Sequence, residues 1–470
     1  MPRLFVSAAQ RSSGKTTLAL GLAAALAADG TVVQPFKKGP DYIDPMWLTL
    51  AAGRPCANLD LHLEGPEALR AAFARQAAAA ELALVEGNMG LHDGLAPDGS
   101  DSNAALARLL AAPVLLVLDA RGMTRGVAPL LLGQQAFDPE VHVAGVVLNR
   151  VRGVRHEAKL RAAIERYTAV PVLGALAEDA RLAISERHLG LVPCSEVAAA
   201  SERVQAIGRV VAAQVDLARV RAIAAAAPPL AAPPPVADGA AAAAAAGRRT
   251  LRIGVARDRA FGFYYPGDLA ALEAAGAELV FVDTLRDTGL PALDGLVIGG
   301  GFPEACLDAL AANAPLRAAL RAAIERGLPT YAECGGLMYL ARSIRWQGRN
   351  APMVGVIPAD AVMHERSVGR GYVRLQETEH MPWAGGGAGV VHGHEFHHSS
   401  LENLDSGLRY AYRVQRGHGI DGRHDGLVLH RLLASYTHLR SGAGSDWAPR
   451  FVDFVRRARV ERAGPAMLAA

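Results

Sequence analysis

Two blocks of alternating strand-like and helix-like sequence, separated by a stretch that can be neither, limit what this chain can fold into. In Pro228-Pro229-Leu230-Ala231-Ala232-Pro233-Pro234-Pro235 and the alanine run that continues to Ala246, the apolar periodicity of a packed element is missing. Residues 224–248 therefore read as a linker, semi-rigid where proline is dense. Before it, β-branched runs at Leu4 to Ala8, Leu82 to Val85, Val114 to Leu118 and Val143 to Leu148 are spaced by helical patterns. After it the alternation resumes, with strands expected at Leu251 to Ala256, Glu278 to Val282, Gly295 to Ile298 and Pro329 to Ala332. Strands spaced by helices imply a parallel α/β sheet on each side. The halves share no evident repeat, so the expectation is two different α/β domains, 1–223 and 249–460.

Composition agrees with two cores and excludes some partners. A chain of 470 residues with 51% apolar and 20% charged residues can bury large interiors. With 49 basic and 46 acidic side chains the net charge is +3, too balanced for a nucleic-acid or anionic-membrane surface. The apolar stretch 104–120 carries Arg108 and Pro113 and reads as helix then strand, not as a membrane span. Cys56, Cys194, Cys306 and Cys334 are scattered, with no C-x-x-C pair, so a disulfide framework or zinc knuckle is not indicated and a reducing cytoplasm is expected.

Three motifs carry chemistry. Ala9-Gln10-Arg11-Ser12-Ser13-Gly14-Lys15-Thr16-Thr17 lies between the first strand and a helix, the context of a phosphate loop, although Ala9 replaces its first glycine. There, backbone N–H groups and the helix N-terminus cradle phosphates, Lys15 reaches the outer ones and Thr16 can ligate Mg²⁺. Asp41 and Asp44 follow one strand, and Glu86 and Asp93 follow another. Ligands of open α/β sheets bind beyond strand carboxyl ends, so these acids belong near the phosphate loop, where phosphoryl transfer needs them. Third, Tyr331-Ala332-Glu333-Cys334-Gly335-Gly336 has the pattern of a nucleophile elbow, with a thiol exposed at a sharp strand-to-helix turn.

Taken in order, SSGKTT, FKKGPDYIDP, VEGNMGLHDG, GVVLNR, GGGFPE, YAECGGLMYL, GHEFHHS and ASYTHL resemble the cobyrinic acid a,c-diamide synthase family over nearly the whole chain. The resemblance implies a P-loop NTPase-like amidoligase domain, similar to dethiobiotin synthetase, joined to a flavodoxin-like class I glutamine amidotransferase domain. It implies ATP with Mg²⁺, L-glutamine as nitrogen donor, and a corrinoid whose a and c acetates become amides. Ser13, Gly14, Lys15, Thr16, Thr17 and Lys37 would bind nucleotide, Asn149 would meet the adenine, and Thr16, Asp41 and Glu86 would hold the metal. Asp44 and Asp93 match positions that handle substrate. Cys334 and His438 would form the glutaminase pair, with oxyanion donors from Gly300, Gly301 and Gly335. Where many class I amidotransferases carry a glutamate two residues after the histidine, this chain has Arg440, so no third triad member is evident. Lys38, Leu48 and His92 depart from the family pattern in loops expected to meet the tetrapyrrole. Arg121, Arg125, Arg150, Arg152 and Arg155 are basic residues that could meet the acetate and propionate groups of such a polyanion, with a solvated surface role the preferred reading for any one of them.

Other readings stay open at this point. The macrocycle could be cobyrinic acid, hydrogenobyrinic acid, siroheme or sirohydrochlorin. A P-loop switch ATPase without amidating activity would leave Cys334 and His438 without a role, and a sensor with a degenerate amidotransferase domain would be expected to have lost one of them. A homodimer is admitted by the sequence, which does not fix the oligomeric state.

Overall fold

Seven strands of the first half are β1 (Arg3–Ala8), β2 (Val33–Lys38), β3 (Ala57–Leu59), β4 (Leu82–Glu86), β5 (Val114–Asp119), β6 (Val143–Val151) and β7 (Val172–Ala177). They pair in parallel in the order β3-β2-β4-β1-β5-β6-β7. Helices cover both faces, which is why β1, β2 and β4 are buried along their whole length, although β2 carries Gln34, Lys37 and Lys38. The computed structural model describes residues 1–184, 186–187, 190–230, 250–385, 389–442 and 445–463. The chain divides into two compact units, Met1–Pro235 and Val236–Ala470.

Helix α1 (Lys15–Ala28) is buried on nearly every side because it lies between the sheet and the helix Ala200–Gln214. Gly21 permits that approach: a Cβ there would fall 2.2 Å from Val211 Cγ2. The helix Leu217–Ala225 runs two residues into the segment expected to be linker, since Val220 and Ala224 are buried and alanine favours helix. Most of that segment, from 231 to 249, lies outside the described residues.

In the second unit, the strands Ala277–Val282, Leu251–Ala256, Gly295–Ile298, Thr330–Glu333 and Leu432–Ser435 lie side by side in that order, all parallel. In chain order this is the 2-1-3-4-5 arrangement of flavodoxin-like sheets. The sheet then continues through four antiparallel strands, His424–Leu429, Arg409–Arg416, Gly369–Glu377 and Val390–His397. Sequence reading anticipated only the parallel part. In Gly369–Glu377 the buried Val373 and Leu375 flank the exposed Arg374, so half of that strand's pattern is polar. A second sheet combines Arg349–Pro352, Ala341–Trp346, Ile357–Met363 and Ser399–Glu402.

Below the cysteine elbow, Tyr331 packs against Trp383 and Trp447 with centroids 5.0 and 4.9 Å apart. This aromatic cluster holds the strand that delivers Cys334. On the other side, Gly336 lets the helix Gly335–Leu340 touch the neighbouring strand, for a Cβ there would lie 2.2 Å from the Ile298 carbonyl oxygen. Backbone cannot yield as a side chain can. Gly336→Ala is expected to cost about 1–3 kcal/mol and to lower the urea midpoint of the second unit; an unchanged midpoint would contradict this close approach.

Candidate active sites

Strand β1 ends at Ala8, and the chain turns through Ser12 and Gly14, with φ of 58° and 95°, to start α1 at Lys15. Only glycine suits position 14, because a Cβ would also meet Asn149 Nδ2 at 2.1 Å. The turn is tied to the end of β6: Asn149 Nδ2 donates to the Ser13 carbonyl at 2.8 Å, and Arg150 Nη1 donates to the Ser12 carbonyl at 2.8 Å and to Asp119 at 2.6 Å. Arg150 thus braces the loop instead of standing free on the surface. The Ser13 hydroxyl turns inward to the Gln10 carbonyl. A cavity of about 570 Å³ opens here, lined by Gly14, Lys15, Thr16, Thr17 and Asn149 and by the segment after β7. Burial, with Lys37 nearby, lowers Lys15 to about 8. An anion in the cavity would raise it again by favouring the charged form.

Beside that cavity, Lys37 Nζ donates to Asp44 Oδ2 at 2.6 Å and to Glu86 Oε1 at 2.9 Å, and Thr16 Oγ1 donates to the same Glu86 oxygen at 2.5 Å. Burial opposes the Lys37 charge, but the two carboxylates overcome it and raise its pKa. Burial also pushes the Glu86 carboxyl up, while Lys37 pulls it back. Glu86 Oε2 is buried and, among the described residues, has no hydrogen-bond partner. An orphaned carboxylate oxygen beside the Thr16 hydroxyl fits a hard divalent cation. Asp44 belongs to this cluster, lying 3.4 Å from Thr16 Oγ1. Asp41 does not contact Thr16: its Oδ1 accepts the N–H groups of Ile43 and Asp44 and caps the helix Ile43–Ala52. Burial and the Asp44 charge push Asp41 up to about 7. The placement thus favours exchanging the parts expected of these two aspartates.

Other expected substrate residues are scattered. Asp93 is exposed and accepts the Gly90 N–H at 2.9 Å, closing its own loop. Leu48 is fully buried in the helix Ile43–Ala52 and faces the core, not a ligand, because an apolar side chain on that face packs inward. His92 Nε2 lies 3.0 Å from the Gln134 carbonyl, with its ring against Phe137.

In the second unit Cys334 has φ 47° and ψ −101°, a sparsely populated conformation that concentrates strain at a nucleophile. Its N–H donates to the Ser435 carbonyl at 2.8 Å, fixing the elbow to the strand that leads to His438. The backbones of His394 and His438 pair reciprocally at 3.1 and 2.8 Å, and their rings stack 4.9 Å apart. His438 hydrogen-bonds Cys334 on one side, and its Nδ1 donates to Glu333 Oε2 at 3.2 Å on the other. Burial would discharge the imidazolium, but Cys334 and Glu333 outweigh it and push His438 up to about 10. The remaining Glu333 oxygen accepts from the Tyr331 hydroxyl at 2.5 Å and the Leu439 N–H at 3.0 Å. His394 is held neutral by burial and by the charges of His438 and Arg440.

Glu333 is the residue that sequence reading missed. The family pattern puts the carboxylate two positions beyond the histidine, where the Arg440 guanidinium instead lies over the Tyr265 ring at 5.3 Å. The available signal was its adjacency to Cys334 at the end of a buried strand. Gly300 and Gly335 border the same place: a Cβ on Gly300 would lie 2.6 Å from His438 Cε1, and one on Gly335 would lie 3.0 Å from the Gly301 nitrogen. Gly393-His394-Glu395-Phe396-His397 is strand, with Glu395 accepting the N–H groups of His418 and Gly419.

Two family models match these units, a CobQ/CobB/MinD/ParA nucleotide binding domain over residues 5–192 and a CobB/CobQ-like glutamine amidotransferase domain over 252–444. The cobyrinate a,c-diamide synthase of Magnetococcus marinus is 46% identical over 456 residues, covering 97% of both chains. That of Methanosarcina acetivorans is 37% identical, covering 98% of this chain and 97% of the relative. The chain belongs to the cobyrinate a,c-diamide synthase family. Among solved structures, a glutamine amidotransferase is similar at 21% identity and a TM-score of 0.33, over 44% of this chain and 99% of that one. As in a family of glutamine-hydrolysing ligases, a nucleotide-binding domain that uses ATP and an amidotransferase domain stand on one polypeptide. Among the described residues no helix is long and apolar enough to cross a membrane.

If Glu333 orients and charges His438, then Glu333→Gln should lower the glutaminase kcat about 10²–10⁴-fold with ammonia-dependent amidation retained. Full glutaminase activity in that variant would remove Glu333 from the site.

Proposed function

We propose that this chain converts the a and c acetate carboxylates of cobyrinate into amides, with ATP as activator and glutamine as nitrogen source. The observation that carries this reading is the pairing, on one polypeptide, of the Cys334–His438–Glu333 array with the Lys15–Thr16–Glu86 phosphate site. The family relationship over 97% of the chain supports the choice of acceptor.

A carboxylate is a poor electrophile, so it first attacks the γ-phosphorus of ATP and becomes an acyl phosphate. Ser13, Gly14, Lys15, Thr16 and Thr17 cradle the phosphates, Lys15 and Lys37 offset their charge, and Asn149 holds the loop while bordering the nucleotide cavity. Thr16, Glu86 and Asp44 are the residues that would hold Mg²⁺, which supplies further charge compensation on the phosphates. Asp41 shapes the loop that presents Asp44, and Asp93 orders the loop on the acceptor side. Ammonia then attacks the acyl carbon and phosphate leaves.

Ammonia is mostly protonated at neutral pH, so the second unit produces it. His438 takes the thiol proton, and the Cys334 thiolate attacks the glutamine carboxamide. Glu333 stabilises the imidazolium, as the carboxylate of a triad does. N–H groups of Gly335 and the Gly300–Gly301 turn receive the oxyanion. His438 returns the proton to the departing nitrogen, and water hydrolyses the thioester to glutamate. Free thiols at Cys56, Cys194, Cys306 and Cys334 suit a cytoplasmic setting.

Incubation with ATP, Mg²⁺, glutamine and cobyrinate should yield a product with two acid-to-amide exchanges by mass. Amidation of siroheme or sirohydrochlorin alone would overturn the assignment. Cys334→Ala should abolish glutamine-dependent product while ammonium salts still support it; equal loss with both donors would show that the two reactions are not separate.

A further inference from the structure

Lys38 ends β2 with a side chain that is buried, at 6% exposure. Among the described residues its ammonium donates to one acceptor, the neutral Asn88 Oδ1 at 3.1 Å. An ammonium carries three donors, and a lysine this deeply buried is normally paired with a carboxylate. Its neighbour Lys37 shows the usual solution, with two carboxylates within 2.9 Å. The acids nearest in charge to Lys38 are Asp101 and Asp60, and both are engaged elsewhere. Asp101 accepts the N–H groups of Leu95 and Ala96, and Asp60 those of His62 and Leu63. Neither forms an ion pair with Lys38.

The location is equally informative. Lys38 stands at the carboxyl end of β2, one strand in from the sheet edge, and open α/β sheets bind ligands beyond such strand ends. The loops around it carry Asp41, Asp44 and Asn88, which are partly buried and not sealed from solvent, so a ligand oxygen has a route to this end of the sheet from the side of the phosphate site. A cation left short of acceptors in the free protein gains most from a ligand that brings a negative oxygen.

We propose that Lys38 binds a carboxylate of the polycarboxylate acceptor, forming with Asn88 a subsite that selects for an acid group on the macrocycle. The inference rests on the acceptor class proposed above. The competing source of an anionic oxygen at this place is phosphate.

The test is calorimetric titration of the full chain with cobyrinate in the absence of ATP, alongside thermal unfolding, for wild type, Lys38→Met and Asn88→Asp. Lys38→Met should raise the Kd for cobyrinate at least about 30-fold, with an unfolding midpoint at or above wild type because an under-compensated buried cation is gone. Asn88→Asp supplies an internal carboxylate to the ammonium, and should weaken cobyrinate binding while raising the midpoint. Wild-type affinity in both variants overturns the proposal, as does a change confined to ADP and inorganic phosphate. Should Lys38→Met not fold, Asn88→Asp with undiminished cobyrinate affinity overturns it alone. Failure of the wild type to bind cobyrinate overturns the acceptor assignment and this subsite together.

Discussion

Parallel strand register is the constraint on which both candidate centres depend. Pairing of β2 with β4 sets Lys37 opposite Glu86, so a cation and an acid meet at the end of the sheet without any loop having to find the geometry. In the second unit, pairing of Thr330–Glu333 with Leu432–Ser435 sets Glu333 opposite Ser435. Three residues further on, the chain brings His438 back against Glu333. Because parallel strands all end on one side, the groups of each unit gather at the end of that unit's own sheet. A slip of one residue would turn Lys37 or Glu333 to the opposite face.

Burial then decides what the gathered charges can do. A lone ion in the interior is costly, and pairing repays that cost only with good geometry. Lys37 has such geometry with Asp44 and Glu86 and stays charged. Lys15, which among the described residues has no ion pair with a carboxylate, falls to about 8 by burial, which would suit the phosphate partner proposed for it. The same logic separates two histidines in the second unit. His438, between Cys334 and Glu333, is pushed up to about 10, whereas the stacked His394 is discharged by burial and by its cationic neighbours.

Much of this was readable from the chain, because the signals were local. Ser-Gly-Lys-Thr-Thr after an apolar strand predicts a turn into a helix, and the structure starts that helix at Lys15. Cys334 before two glycines reads as an elbow, and its φ of 47° makes it one. The four antiparallel strands were not legible, since their pattern mixes exposed arginines with buried valine and leucine. Nor was the division of labour between Asp41 and Asp44, which depends on which carboxylate the helix Ile43–Ala52 uses as a cap and which it points at Lys37.

By itself, then, the sequence determined the two α/β blocks, the phosphate loop and the thiol elbow, all of which are written in runs of about ten residues. Tertiary structure alone decided that Glu333 serves His438, that Asn149 and Arg150 brace the phosphate loop, and that Lys38 is buried beside a neutral amide. These contacts join residues 50 to 138 positions apart, Lys38 to Asn88 being the nearest in sequence and Arg150 to Ser12 the most distant. Sheet register creates such neighbours, and no local pattern of residue types encodes which strand will lie beside which.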